Sequence, residues 1–148
     1  MIQRKQTVFL LLALVATVCC LCMPLGTFEA SRMGADTNLY NLWAVGEQGR
    51  SYAPWPLFAV LLLSCPLNVL TIISYNNRRL QMRLCAVCMA LMVMWGATLF
   101  FMAHQLGLGD FHVGFASALP IVAFILYFMA RRGVISDEKL VRAADRIR

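Results

Sequence analysis

Four long stretches of this sequence contain no Asp, Glu, Lys or Arg: about Thr7 to Gly26, Trp55 to Tyr75, Leu84 to His104 and Val113 to Ala130. An α-helix rises about 1.5 Å per residue and the hydrocarbon core of a bilayer is about 30 Å thick, so roughly 20 apolar residues suffice to cross it. Buried helices of a water-soluble protein of such length carry a polar stripe at the 3.6-residue period, and these stretches carry none. The expected fold is all-α: an integral membrane bundle of four transmembrane helices, one membrane domain over residues 1–148. Composition agrees, with 61% apolar residues and a mean hydropathy of +0.71, against roughly 45–50% apolar residues in soluble domains. The net charge of +6 would suit nucleic acid only if the cations gathered on a folded polar surface. They lie instead in short runs between the apolar stretches, so membrane lipids are the expected partner and nucleic acid is not.

The first stretch follows Arg4 and Lys5, as the core of a secretory signal peptide would. No small-x-small cleavage site follows it, Val18 before Cys19 fits a lipoprotein site poorly, and three further spans come after; the first helix is expected to be retained. Eleven of the thirteen basic residues fall at the N-terminus, between the second and third spans, or after the fourth: Arg4, Lys5, Arg78, Arg79, Arg83, Arg131, Arg132, Lys139, Arg142, Arg146 and Arg148. Only Arg32 and Arg50 fall on the other side. Basic residues of short loops stay in the cytoplasm, so both termini are expected inside, in a bacterial inner membrane with a multi-pass topology.

The long outer loop, 27–53, is polar but carries Phe28, Leu39, Tyr40, Leu42, Trp43 and Tyr52. Such residues suit a loop resting on the headgroups; Thr37 to Val45, followed by Gly46-Glu47-Gln48-Gly49, also reads as a short strand and turn. The tail, 131–148, reads as a separate short amphipathic helix on the cytoplasmic side. Ser136 would cap it, Asp137 and Glu138 would complement its dipole, Ile135 would staple onto Leu140, and Glu138 would pair with Arg142. Leu140, Val141, Ala144 and Ile147 would form its apolar face, which needs a surface to lie on.

Few residues offer chemistry. Cys85 and Cys88 form a C-x-x-C pair near the start of the third span; a helix N-terminus lowers a thiol pKa and apolar surroundings raise it, so a redox role and a packing role both fit. A quinone-linked thiol oxidase also needs cysteines in an outer loop, and neither outer loop has one. His104, Asp110 and His112 flank the second outer loop at a spacing that matches no compact metal motif. Ser64, Asn68 and Thr71 share one face of the second span, with Cys65 and Pro66 beside it, and suit either interhelical hydrogen bonds or a small-molecule or lipid cavity. Ala86-x-x-x-Ala90 and Gly114-x-x-x-Ala118 are small-residue packing patterns, and Pro66 and Pro120 are expected to bend the second and fourth helices.

Three stretches carry a resemblance: Met1-Ile2-Gln3-Arg4-Lys5-Gln6, then Asn77-Arg78-Arg79-Leu80-Gln81-Met82-Arg83-Leu84-Cys85, then Ile135 through Arg148. Together, and in this order, they resemble the four-span "domain of unknown function 4293" family of Bacteroidota inner-membrane proteins. The resemblance implies architecture, lineage and location; the family has no established activity, so it implies no catalytic residue and no cofactor. All three stretches are expected in the cytoplasm. The leading expectation is therefore a non-enzymatic accessory or scaffold subunit of an inner-membrane complex, contacting other inner-membrane proteins through Arg78, Arg79, Gln81, Arg83, Leu140, Arg142, Asp145 and Arg146. A membrane thiol oxidoreductase using Cys85 and Cys88, and a binding or transport protein with a cavity facing Asn68, are the alternatives.

Overall fold

The computed structural model describes residues 2–28, 36–46, 49–106 and 111–145. The elements run α1 (Ile2–Cys22), β1 (Gly26–Phe28), β2 (Thr37–Leu39), β3 (Ala44–Gly46), β4 (Gly49–Ser51), α2 (Trp55–Ile73), α3 (Arg78–Leu106), β5 (Phe111–Val113) and α4 (Leu119–Asp145), with 3-10 turns at Ser74–Asn76 and Phe115–Ala118. All four helices are long and apolar enough to cross a membrane. They pack in a ring, α1 on α2, α2 on α3, α3 on α4 and α4 on α1.

One rule governs which residues face the ring's interior. Beside Ala16, Leu91 and Pro120, the buried positions are Gln6, Leu10, Ala13, Thr17 and Cys20 on α1, Leu57, Leu61, Ser64, Asn68 and Thr71 on α2, Gln81, Cys85, Cys88, Met92 and Trp95 on α3, and Ala123, Tyr127, Ala130, Val134 and Asp137 on α4. Each set steps by four and three residues in turn, the 3.5-residue period of helices that wrap around a shared seam. Small and polar side chains dominate these sets, while Val8, Leu12, Val15, Leu63, Val93, Phe100 and Ile125 point outward. Lipid tails solvate Leu as well as another helix does, so close approach and hydrogen bonding decide the inward face. The small pattern Ala86-x-x-x-Ala90 is not on it: Ala86 is half-buried and Ala90 exposed.

The helices outrun the apolar stretches at one end of the bundle, which holds the start of α1, the end of α4 and the α2–α3 connection and is called here the terminal end. α1 is helical from Ile2, ahead of the expected start at Thr7. α3 begins at Arg78, six residues before Leu84, where the Asn77 side chain accepts from the Leu80 amide at 3.4 Å. The tail is not a separate helix: α4 runs unbroken to Asp145, so Ser136 is interior and caps nothing. Gly133 alone does not stop it, and the inward stripe continues through Val134 and Asp137. Pro120 is the second residue of α4, where its missing N–H costs nothing, and therefore begins that helix. Pro66 lies inside α2.

The opposite end carries a five-stranded antiparallel sheet in the order β4-β3-β2-β1-β5. β1 pairs with β2 in one direction and with β5 in the other, Gly26 opposite Val113, so the two connections at this end are one structure. Phe28 and Leu39, expected at the headgroups, are instead 2% and 1% exposed beneath the sheet. Within the expected strand and turn, Thr37–Leu39 and Ala44–Gly46 are strands joined by a hairpin closed by Tyr40 N–H to the Trp43 carbonyl, 2.8 Å, and Gly46 pairs with Gly49. Gly114 sits against β1: its N–H donates to the Leu25 carbonyl at 2.8 Å, and an added Cβ would lie 2.7 Å from that same oxygen. Gly114-x-x-x-Ala118 thus serves the sheet and not a helix–helix crossing.

Candidate functional site

The polar stripe of α2 is inside the bundle. Ser64, Asn68 and Thr71 are all fully buried. Asn68 Nδ2 donates to the Leu10 carbonyl of α1 at 3.2 Å and to the Tyr127 hydroxyl of α4 at 2.8 Å, so one amide ties three helices. Ser64 and Thr71 donate within α2, to the carbonyls of Leu61 and Leu67. The three side chains are enclosed by protein, Asn68 Oδ1 is buried without a protein partner, and none of the three lines the α3–α4 groove described below.

Cys85 and Cys88 lie on the inward stripe of α3, both 0% exposed. With α3 starting at Arg78 they sit in its second and third turns, away from the positive end of the helix dipole. All six cysteines are free thiols. Among the described residues, no group of three His, Cys, Asp or Glu side chains is placed to hold a metal ion. Asp110, the acid between the two histidines, lies outside the described residues.

Charge enters the bundle at the terminal end. Gln6 of α1 donates its side-chain amide to Asp137 Oδ2 of α4 at 2.5 Å, across a contact that Gly133 makes possible: a Cβ there would lie 3.0 Å from Gln6 Cγ and 3.2 Å from Nε2. Asp137 is 9% exposed and Gln6 6%. Arg78 and Gln81 of α3 face the same small void as Gln6 and Asp137. Arg78 Nη1 and, one level deeper, Arg131 Nε are buried without a protein hydrogen-bond partner. At the rim, Arg79 Nε approaches Glu138 Oε1 at 3.9 Å, the arginine exposed and the carboxylate mostly covered, a long pair of small energetic weight. Local sequence suits Asp137 to a helix start, but it lies two steps after Ala130 on the inward stripe of α4, and that spacing is the signal of its buried role.

The residues expected to contact a partner therefore divide. Arg79, Arg83 and Leu140 are exposed, whereas Gln81 is 5% exposed and packs inward, and Arg78 turns its guanidinium toward Asp137's layer. Arg142 and Asp145 belong to the last turns of α4, and Arg146 lies outside the described residues. Of the expected apolar face of the tail, Leu140 is 60% and Val141 45% exposed, while the side chain of Ala144 and all of Ile147 lie outside the described residues; Glu138 reaches across to α3.

A groove of about 410 Å³ opens between α3 and α4 toward the sheet end, lined by Met92, Val93, Gly96, Leu99, Ile121 and Phe124 among others. A Cβ added at Gly96 would meet nothing within 4 Å, so this glycine leaves the groove open. The two polar side chains near its mouth are engaged elsewhere: Trp95 Nε1 donates to Asn41 Oδ1 at 3.0 Å, and Ser117 Oγ donates to the Leu25 carbonyl at 2.6 Å.

With four membrane-length helices and their connections in view, the family comparison becomes decisive. The sequence profile of the family described as "Domain of unknown function (DUF4293)" matches residues 2–147. The chain belongs to this family. The match covers every element of the DUF4293 fold described above, including the sheet and the terminal layer. No curated protein matches the chain.

Proposed function

We propose that this DUF4293 protein is a non-enzymatic accessory or scaffold subunit of a bacterial inner-membrane protein complex, with both termini in the cytoplasm. One observation carries the reading. Asn68 and Gln6 use their side-chain amides to hold the helices to one another, while α4 extends past the apolar stretch and presents Leu140 and Val141 uncovered at a basic end. Arg131 marks the edge of the apolar part of α4, and Leu140 lies nine residues further on, about 13 Å at 1.5 Å per residue. A headgroup layer is about 5–8 Å deep on each side, so these two apolar residues emerge into water, where a protein partner would cover them. Eleven of the thirteen basic residues lie at or beyond this end, which supports its cytoplasmic placement. The three stretches that resemble the Bacteroidota family converge on the same end. Gentle detergent extraction with crosslinking and mass spectrometry tests the proposal. A heteromeric complex is expected, lost on combining Leu140→Asp with Val141→Asp in a chain that still folds; recovery of monomer or homo-oligomer alone would overturn it. The placement is checked by introducing a cysteine at Tyr75 or Tyr52, both exposed, and labelling intact cells with an impermeant maleimide: Tyr52→Cys should react and Tyr75→Cys should not.

A second reading, lipid or apolar small-molecule binding, is favoured by the α3–α4 groove and not by Asn68. Gly96→Phe starts a ring at a groove position where an added Cβ meets nothing within 4 Å, so bound lipid retained through purification should fall in this variant if the groove holds it.

The thiol oxidoreductase reading draws no comparable support, because Cys85 and Cys88 are sealed on the inward stripe, away from any soluble thiol partner.

A further inference from the structure

The void at the terminal end has a volume of about 10 Å³, the room that one water molecule requires. On one wall is Arg78, whose Nη1 is buried and has no protein acceptor; on another is the Asp137 carboxylate, in which Gln6 satisfies one acceptor position. Thr7, Val134, Tyr75 and Gln81, itself buried, complete the lining. No nitrogen of Arg78 comes within 4.0 Å of an Asp137 oxygen, so the two charges share a void without touching. A metal cation there would be repelled by the guanidinium and an anion by the carboxylate. Water alone of the small species donates to the carboxylate while accepting from the guanidinium.

We infer that one water molecule occupies this void and bridges Arg78 Nη1 to the Asp137 carboxylate, making a hydrated ion pair that clamps α3 to α4, with Gln6 adding α1 to the clamp. A bridging water is nearly as favourable as a direct hydrogen bond, and it relieves a desolvated charge that would otherwise destabilise the bundle. The clamp holds the three helices in register where α4 leaves them, and so fixes the place of Leu140 and of the Arg79–Glu138 pair. It deepens the adaptor reading by naming what orders the docking end, but its test does not involve a partner, and the two fail separately.

Two measurements decide it. A structure of the purified protein at a resolution that shows waters should place one peak within hydrogen-bond distance of both Arg78 Nη1 and an Asp137 oxygen; a dry void, or direct contact between the side chains, overturns the proposal. A thermal double-mutant cycle in detergent uses Arg78→Gln, Asp137→Asn and both together. Each single change should lower the melting midpoint, and the double variant should lose no more than the worse single variant, since neither charge is then left alone. Additive losses overturn the coupling. Because both substitutions keep a polar side chain of similar size, failure to fold is not the expected result; were a single variant to fail while the double variant folded, the coupling would be demonstrated directly.

Discussion

Asn68 and Ser64 are both fully buried polar residues on the same face of α2, yet their weights should differ. Asn68 reaches α1 and α4, whereas the hydroxyl of Ser64 bonds its own helix. Replacing Asn68 by Leu should cost about 1–2 kcal/mol of bundle stability, the scale of interhelical hydrogen bonds in membranes, and Ser64→Ala should cost little; unfolding by SDS titration in mixed micelles measures both. Equal effects would mean that the α1 and α4 contacts are not what Asn68 supplies. At the sheet end, Gly114→Ala must move the Leu25 carbonyl or itself, since the new Cβ would lie 2.7 Å from that oxygen, and a loss of about 1–3 kcal/mol follows from such overpacking. The shared face of Ser64, Asn68 and Thr71 was legible from spacing alone; its partners were not, because nothing in the sequence tells which helix Asn68 will meet. Asp137 was misread for a local reason. Ser136-Asp137-Glu138 satisfies every short-range rule for a helix start, and only the long-range contact with Gln6 shows that the helix had begun eighteen residues earlier.

Helices were legible as elements, and α2 begins at the expected Trp55, but the ends of α1, α3 and α4 at the terminal end were not legible. Loss of apolarity marks where hydrocarbon gives way to headgroups, but backbone hydrogen bonding does not stop there, and α1, α3 and α4 all continue through that boundary. Ser136→Pro discriminates the two views of α4. A capped, separate tail helix would tolerate proline at its first residues, whereas the continuous helix loses a hydrogen bond and meets a clash with the Arg132 carbonyl, about 3 kcal/mol or more; a drop in melting midpoint with reduced helical circular dichroism is expected. The inward stripes hid for a different reason. In water the buried face is the apolar one, but here the outward face is at least as apolar, so Cys85 and Cys88 look like a reactive pair until the 3.5-residue step from Gln81 to Trp95 places them in the seam. A thiol reagent should modify them only after the bundle is denatured, with labelling read by mass; rapid labelling of the folded protein would contradict their enclosure. Strand character was legible over Thr37 to Val45, but β1 and β5 escaped because each is three residues long, too short for alternation to register.

At the scale of the whole molecule the two ends differ in kind. One is sealed by backbone pairing beneath which Phe28, Leu39 and Leu25 are buried; the other is held by side chains, Gln6 with Asp137 and the layer around Arg78, and ends in uncovered α4. Helices tied by side chains separate more readily than those tied by a sheet, so amide hydrogen exchange should be faster in the last turns of α4 than at its Pro120 end. The β1–β5 pairing also sets an order of events during biogenesis. Its two halves flank α2 and α3 in the chain, so β1 and β2 can meet as soon as the first connection reaches its side, but β1 must wait with one edge bare until α3 has been inserted and its following segment delivered. Completion of the sheet thus follows α3 and precedes α4, and a chain stalled after its second helix would display an unpaired strand edge for quality control to read.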